Sequence, residues 1–218
     1  MPVQVITPLG VLPEADASFK AGRVSQRPAE AVGACRVSKF SGLLPAGLAA
    51  NADVFQIRNP DANKLIILQY LKIKAVVITG FTAAQELAFS ALHVRNWATA
   101  TATGTQILVN NNNLKKRTAL AASIADARIA AAAAMTAPAA PAVIDTESFL
   151  SAIGKTLAAA ATVPDAIFEE TFDATSGAEY PMVYAQNEGL TVRNQIALGA
   201  AGTVRLAVTA SWIENPTY

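Results

Sequence analysis

Residues 190–212 read LTVRNQIALGAAGTVRLAVTASW, and this stretch decides the fold class. Val204, Leu206, Val208, Ala210 and Trp212 alternate with Arg205, Ala207, Thr209 and Ser211. A period of two puts the first set on one face of a strand and the second on the other, the pattern of a half-buried strand. Upstream, Leu190, Val192, Ile196 and Leu198 alternate with Thr191, Arg193, Gln195 and Ala197, with polar Asn194 on the apolar face. Gly199-Ala200-Ala201-Gly202 lies between the two runs and supplies flexible backbone for a tight return, so the pair predicts an antiparallel hairpin.

Working back from this stretch, the same character recurs. Pro181–Ala185, Ala34–Phe40 and Asp53–Asn59 read as short strands. Between the last two, SGLLPAGLAANA reads as a loop by its glycine and proline content. Asn59-Pro60-Asp61 is a turn signal. Lys64–Thr79 is long and rich in Ile, Leu, Val and Tyr, with Leu65, Ile67, Leu71, Ile73 and Val77 on one face and Ile66, Leu68, Tyr70, Val76 and Ile78 on the other. Two apolar faces imply burial on both sides or a bend partway along. Gln85–Trp97 follows, with Leu87, Phe89, Ala91, His93, Arg95 and Trp97 on one face, and then a loop through ATATATGTQ and Asn110–Asn113.

Residues 118–162 are ambiguous. Alanine favours helix, yet no helical stripe runs through the region, and Pro138 and Pro141 cut it. Asp126–Met135 fits a strand or a helix. Asp145–Ala161 is the best helix candidate, with Phe149, Leu150, Ile153 and Leu157 at helical spacing. Residues 1–32 hold four of the eleven prolines and predict an extended arm that is ordered only where its own body or a neighbour holds it. The expected organisation is this arm, 1–32, followed by an all-β domain, 33–218. That domain is an antiparallel β-sandwich or jelly roll of roughly eight or nine strands, with one short helix and an alanine-rich insertion or loop region around 110–165.

Composition narrows the function. Of 218 residues, 15% are charged, below the roughly 25% of an average soluble domain, and net charge is +1. So little charge suits a subunit that gives much of its surface to neighbours, and it offers no global attraction to nucleic acid or anionic membrane. The N-terminal MPVQVITPLGVLPEAD is not read as a signal peptide, and no apolar run reaches the roughly 18 residues of a membrane span. One cysteine, Cys35, and one histidine, His93, are too few for a zinc site of about four such ligands.

Each candidate for chemistry has a plainer reading beside it. His93 is the only imidazole for a nucleophilic triad, but no G-x-S-x-G accompanies it, and a strand histidine with a satisfied hydrogen bond fits as well. Gly154-Lys155-Thr156 resembles the end of a phosphate loop, yet position 149 is Phe where that loop needs Gly. Glu169, Glu170 and Asp173, with Asp165 nearby, could serve a glycosidase or a cation, but read more simply as a solvated loop. Lys115-Lys116-Arg117 has no interleaved aromatics for nucleic acid. Cys35 reads as a small buried strand residue, and Trp97 and Trp212 as core or interface anchors. No catalytic, cofactor or metal residue is assigned.

Tyr180–Glu214 also carries a resemblance. Pro181, Val183, Glu188-Gly189, the turn Gly199–Gly202 and the terminal Trp212-Ile213-Glu214 resemble the closing segment of a family of virion-associated proteins of tailed bacteriophages. Asp126-Ala127-Arg128-Ile129-Ala130 is similar to an internal segment of that family, which favours the strand reading there. The resemblance covers the last 35 residues or so well, the middle loosely, and does not extend to the arm. It implies a non-catalytic sandwich displayed on the phage particle, a capsid decoration (cement) protein. The expected partners are the major capsid protein and copies of itself, as a homotrimer or homodimer. The expected location is the capsid exterior, after synthesis in the host cytoplasm. A tail or fibre component or glycan-binding sandwich, a hydrolase on the same scaffold, and a shell-forming subunit remain the alternatives.

Overall fold

The computed structural model describes residues 15–16, 21–22, 34–109, 122–156, 158, 168–175 and 180–216. Among these residues there is no helix. Most of the arm, the run Lys115–Arg117 and Asp165 lie outside them; within the arm only β1 (Ala15–Asp16) and β2 (Ala21–Gly22) are described, paired with each other.

The body begins with β3 (Ala34–Phe40), β4 (Ala52–Arg58), β5 (Lys64–Thr79) and β6 (Glu86–Arg95). Short β7 (Thr105–Gln106), β8 (Asp126–Ile129) and β9 (Val143–Ile144) follow. Then come β10 (Leu150–Lys155), β11 (Phe168–Asp173), β12 (Met182–Tyr184), β13 (Gly189–Asn194) and β14 (Thr203–Pro216). They form two antiparallel sheets that pack face to face, a β-sandwich. The smaller sheet runs β11–β5–β14–β3, with β12 beside β11 on β5; the larger runs β10–β6–β13–β4–β8–β7, with β9 beside β10 on β6.

Strands β3, β4, β5, β6, β10, β11, β13 and β14 can be taken as first to eighth. One sheet then reads first–eighth–third–sixth and the other second–seventh–fourth–fifth. That order, from two interleaved Greek keys, is the jelly roll.

The predicted hairpin does not form. β13 pairs with β4 and β6, whereas β14 pairs with β3 and β5, so the two alternating runs lie in opposite sheets. Alternation tells which side chains face the core, and both runs face it; it does not tell which strand lies alongside. Residues 195–202 instead cross between the sheets, pinned by Leu198 N–H to Leu48 O (2.8 Å) and Gly199 N–H to Gln85 Oε1 (2.8 Å). The left-handed residue of that crossing is Ala201 (φ 67°), not a glycine.

The two apolar faces of Lys64–Thr79 resolve as a bend. Tyr70 stands opposite Ser211 and Leu68 opposite Trp212, so Gln69 is an extra residue, a β-bulge. Ile66 and Leu68 face the core before it, and Leu71, Ile73 and Ala75 after it; all five are fully buried. At the same point the edge partner changes from β11 to β12, and Ala174 N–H bonds Gln69 O (2.8 Å).

The predicted helix over 145–161 is also absent from its described part. Leu150–Lys155 is strand β10, paired with β6 from Leu150↔Ala91 to Lys155↔Glu86. Buried Leu150 and Ala152 alternate with Ser151 and exposed Ile153. A bare edge on β6 gives this segment a full set of backbone partners, which outweighs a weak helical spacing interrupted by Gly154. The strand reading of 126–135 holds for Asp126–Ile129, after which the chain bulges away and Met135 N–H returns to Asp53 O (2.8 Å). The acidic stretch read as a solvated loop is strand β11 from Phe168 onward.

The core lies between the sheets, with Trp212, Phe55, Phe89, Leu206, Val192 and Ile73 wholly enclosed. Burial of each large apolar side chain contributes about 1.5–3 kcal/mol. Gly42 closes one flank: a Cβ there would lie 1.1 Å from Ala131 O, and its N–H bonds Ala130 O (3.0 Å). The ending Trp212-Ile213-Glu214 closes one end. Trp212 Nε1–H donates to Glu214 Oε1 (3.1 Å), which also accepts from Ser123 Oγ and Ile124 N–H (3.2 Å), tying residues 123–125 to the last strand.

Deleting the paired residue Lys72 would slip one half of β5 by one residue against β14 and turn its core side chains outward, whereas deleting the extra residue Gln69 leaves Leu68 and Tyr70 opposite Trp212 and Ser211. The Lys72 deletion is expected to cost about 3 kcal/mol or more, and the Gln69 deletion at least about 1 kcal/mol less. Equilibrium urea unfolding of the two variants compares them.

Candidate functional site

The two outer faces of the sandwich differ. On the larger sheet, Gln56, Thr191 and Leu92 stand in register on the outward side, yet all three are buried. Ala88, Leu92, Val94 and Trp97 form buried apolar surface that is not part of the main core. The cover comes from the chain's own connections. Asn96 (φ 55°) turns the chain after β6, and Arg58 Nη1 donates to Trp97 O (3.3 Å) and Ala98 O (2.9 Å). Gln56 Nε2 donates to Thr136 O (3.2 Å), and Thr136 N–H to Thr103 Oγ1 (2.6 Å). Segments 96–104 and 135–136 thus strap this face. Beneath them Asp53, 1% exposed as a side chain, accepts from Arg193 Nε (2.9 Å) and Nη2 (3.2 Å) and from the Thr191 hydroxyl.

The smaller sheet has no such strap among the described residues. Its outward side carries Arg36, Ser38 and Phe40 from β3, Arg205, Ala207 and Thr209 from β14, and Tyr70, Lys72, Lys74, Val76 and Ile78 from β5. Phe40 is 67% and Ile78 51% exposed. Around them lies a concavity of ≈ 460 Å³ walled by Lys72, Lys74 and Arg205. Glu169 on β11 pairs with Lys72 (2.8 Å) and Lys74 (3.6 Å), and the Lys72 contact holds its carboxyl below the usual range. The Arg36 guanidinium lies 5.2 Å over the Tyr70 ring.

His93 sits on the core side of β6 at one end of the sandwich. Its Nδ1 is 3.1 Å from Tyr184 Oη, and its ring stacks on Phe149 at 4.6 Å. Burial pushes its pKa down, opposed by nearby Asp145 and reinforced by Arg95; Glu188 is the other carboxylate facing it. Burial pushes the Tyr184 phenol far up, so it stays protonated. Asp145 makes a two-point pair with Arg95 (3.1 and 2.8 Å). The concavity beside His93 is lined by Arg95, Pro181, Met182, Tyr184 and Glu188, and among the described residues no serine, threonine or cysteine lines it. The arrangement suits a latch between β6, β12 and the start of β10; it does not assemble a nucleophile with its base.

The other sequence candidates are not brought together. Gly154 and Lys155 are ladder residues, and Thr156 is buried, bonded to Gln85 through its N–H (2.7 Å) and hydroxyl. Among the described residues no glycine-rich cradle surrounds them. Glu169 and Glu170 point to opposite faces of β11, and among the described residues no group of three His, Cys, Asp or Glu could hold a metal. Cys35 is buried beside Glu214, with Sγ 3.9 Å from Oε1. Trp97 and Trp212 are both enclosed, the first within the strap and the second in the core. The open concavity was not picked out beforehand. Its signal was the pair of lysines, Lys72 and Lys74, alternating with Val76 and Ile78 on one face of a strand whose phase the bulge had obscured. Comparison with protein-family models and with curated proteins finds no match.

The lowered His93 pKa fixes a sign. The unfolded chain takes up the proton first, so this contribution is complete above about pH 6.5 and is lost as pH falls through the folded pKa. Asp145 and Glu169, both lowered, act in a separate window below about pH 4. The chain is therefore expected to lose stability between about pH 8 and pH 5.5, and His93→Gln, which can still bond Tyr184, to lose much less. Urea midpoints at the two pH values test this. Asp53→Ala leaves Arg193 without its carboxylate and is expected to cost about 2–4 kcal/mol by the same assay.

Proposed function

We propose that this chain is a structural virion protein that decorates and stabilises a phage capsid by bridging neighbouring shell subunits. The observation that carries the reading is the asymmetry of the sandwich. Over β4, β13 and β6 one outer face is closed by the chain's own straps, with Ile153 exposed only on its edge strand β10, and the other is left open across its centre with exposed Phe40 and Ile78. An antiparallel sheet with one wet face normally alternates apolar-in with polar-out, so exposed large side chains on the open face call for a partner. The low charge content and the resemblance of Tyr180–Glu214 to virion-associated proteins point the same way.

The chemistry of the described residues agrees with a passive role. The one histidine is engaged with a buried phenol, Asp53, Asp145 and Glu169 are paired with cations, and Glu188 and Glu214 accept from backbone N–H groups. Work in this reading is done by buried area: about 25 cal/mol per Å² of apolar contact, reduced by the cost of immobilising both partners. Many weak copies on one shell then act at high effective concentration. A closed homotrimer or homodimer at a symmetry axis of the shell fits this use. Residues 1–32 would reach onto a neighbour.

Cryo-electron microscopy of particles of the phage that encodes this chain is expected to place it at regular positions on the shell exterior. Density on the tail alone, or none on the particle, overturns the reading. Removing residues 1–30 is expected to weaken capsid binding by about tenfold or more; unchanged affinity removes the arm from the mechanism.

A further inference from the structure

We infer that the open face of the smaller sheet is the docking surface, and that its occupant is a partner segment presenting carboxylates around apolar side chains. This rests on the decoration reading and specifies the partner's chemistry.

The concavity has an apolar floor and a basic wall. Phe40, Val76, Ile78 and Ala207 supply the first; Lys72, Lys74 and Arg205 supply the second, and among the described residues no acidic one lines it. Glu169, at the rim, is shared by the two lysines, and no described carboxylate pairs with Arg205. Basic side chains on a sheet face can serve only to keep it wet. Here, however, they surround large apolar groups that are more than half exposed, on a face that nothing among the described residues covers.

A second copy docked face to face is the wrong occupant. It would set Lys72, Lys74 and Arg205 against the same three cations, and like charges across an interface act against association. A purely acidic polymer would leave Phe40 and Ile78 in water. A purely apolar one would remove the lysine and arginine heads from water without a counter-charge, which is costly. A segment whose acidic and apolar residues come in successive pairs satisfies both, because each side of an extended chain then carries both kinds. It would gain area on the floor and charge-assisted hydrogen bonds at the wall.

The test uses the full chain labelled with ¹⁵N and a synthetic Glu–Val probe of about eight residues repeating Glu-Glu-Val-Val, with Lys–Val (Lys-Lys-Val-Val) and Glu–Ser (Glu-Glu-Ser-Ser) peptides of equal length as controls. The Glu–Val peptide is expected to give saturable shifts confined to Ser38–Phe40, Lys72–Ile78 and Arg205–Thr209. Affinity should fall by about tenfold or more when Arg205→Glu is combined with Lys72→Glu and Lys74→Glu. Because Lys72 and Lys74 also hold Glu169, two milder variants keep the test valid: Arg205→Glu alone and Ile78→Ser alone should each weaken binding by about threefold or more. Equal binding of the Lys–Val or Glu–Ser peptide, shifts elsewhere, no saturation, or unchanged affinity in both milder variants overturns the assignment. Particle imaging is separate. A chain that decorates shells with Arg205→Glu and Ile78→Ser in place retains the decoration reading and loses this face. A chain that takes the Glu–Val peptide but is absent from shells retains the face and loses the reading.

Discussion

The structure depends on the antiparallel ladder between β5 and β14. It runs from Thr203↔Thr79 to Pro216↔Lys64, the longest pairing in the molecule, and forms the centre of the smaller sheet. Every core position of β14 from Val204 to Trp212 is wholly buried, so the ladder is also one wall of the core. A ladder this long accumulates twist, and a twisted flat pair would carry its ends away from the opposing sheet. The bulge at Gln69 relieves this by bending one strand while its partner stays continuous. The same residue divides the neighbouring edge between β11 and β12.

Scarce charge is used at the boundaries of this core. Glu214 gathers an indole, a hydroxyl and an amide where the last strand meets residues 123–125. Asp53 joins β4 to β13 through Arg193 and Thr191 under the strap, and Arg58 holds the strap down by two carbonyls. Removing one partner from such a contact leaves a buried charge or donor unsatisfied, which costs more than the bond contributes. Arg95–Asp145 and Lys72–Glu169 are exposed pairs and add little to stability. Several of the charged residues in this chain are therefore internal fasteners, and the surface open to partners is poorer in charge than the composition alone suggests.

What could be read from the sequence follows the physics of each signal. Ala34–Phe40 and Lys64–Thr79 were legible to the residue because branched and aromatic runs ended at polar or glycine boundaries. The sandwich class followed from their number and spacing. Pairing was not legible: β13 and β14 share a pattern, and only the crossing at 195–202 reveals that they face each other across the core. Leu150–Lys155 was misread because its apolar spacing fits a helix as well as a strand, and the bare edge of β6 that decides between them lies some sixty residues earlier. The strap was invisible for a related reason. Trp97 reads as the end of the run from Gln85 and Met135 as the end of the run from Asp126, and only the bonds from Arg58 and to Asp53 place them in the strap. At the candidate site, His93 stood out by being alone, and its partner Tyr184 comes from a strand of three residues that carries almost no pattern of its own.

Ala34 stands opposite Ile213, whereas Phe40 stands opposite Ala207. The start of β3 and the end of β14 therefore share one rim of the smaller sheet, and the open concavity lies toward the other, about 20 Å away along β3. For an engineer this is a display scaffold. Cargo fused ahead of β3 or beyond β14 leaves from the same rim and does not crowd the far one. A short peptide joining those neighbouring ends would yield a circular permutant, reopened in the 41–51 connection, with both sheets still in their native order.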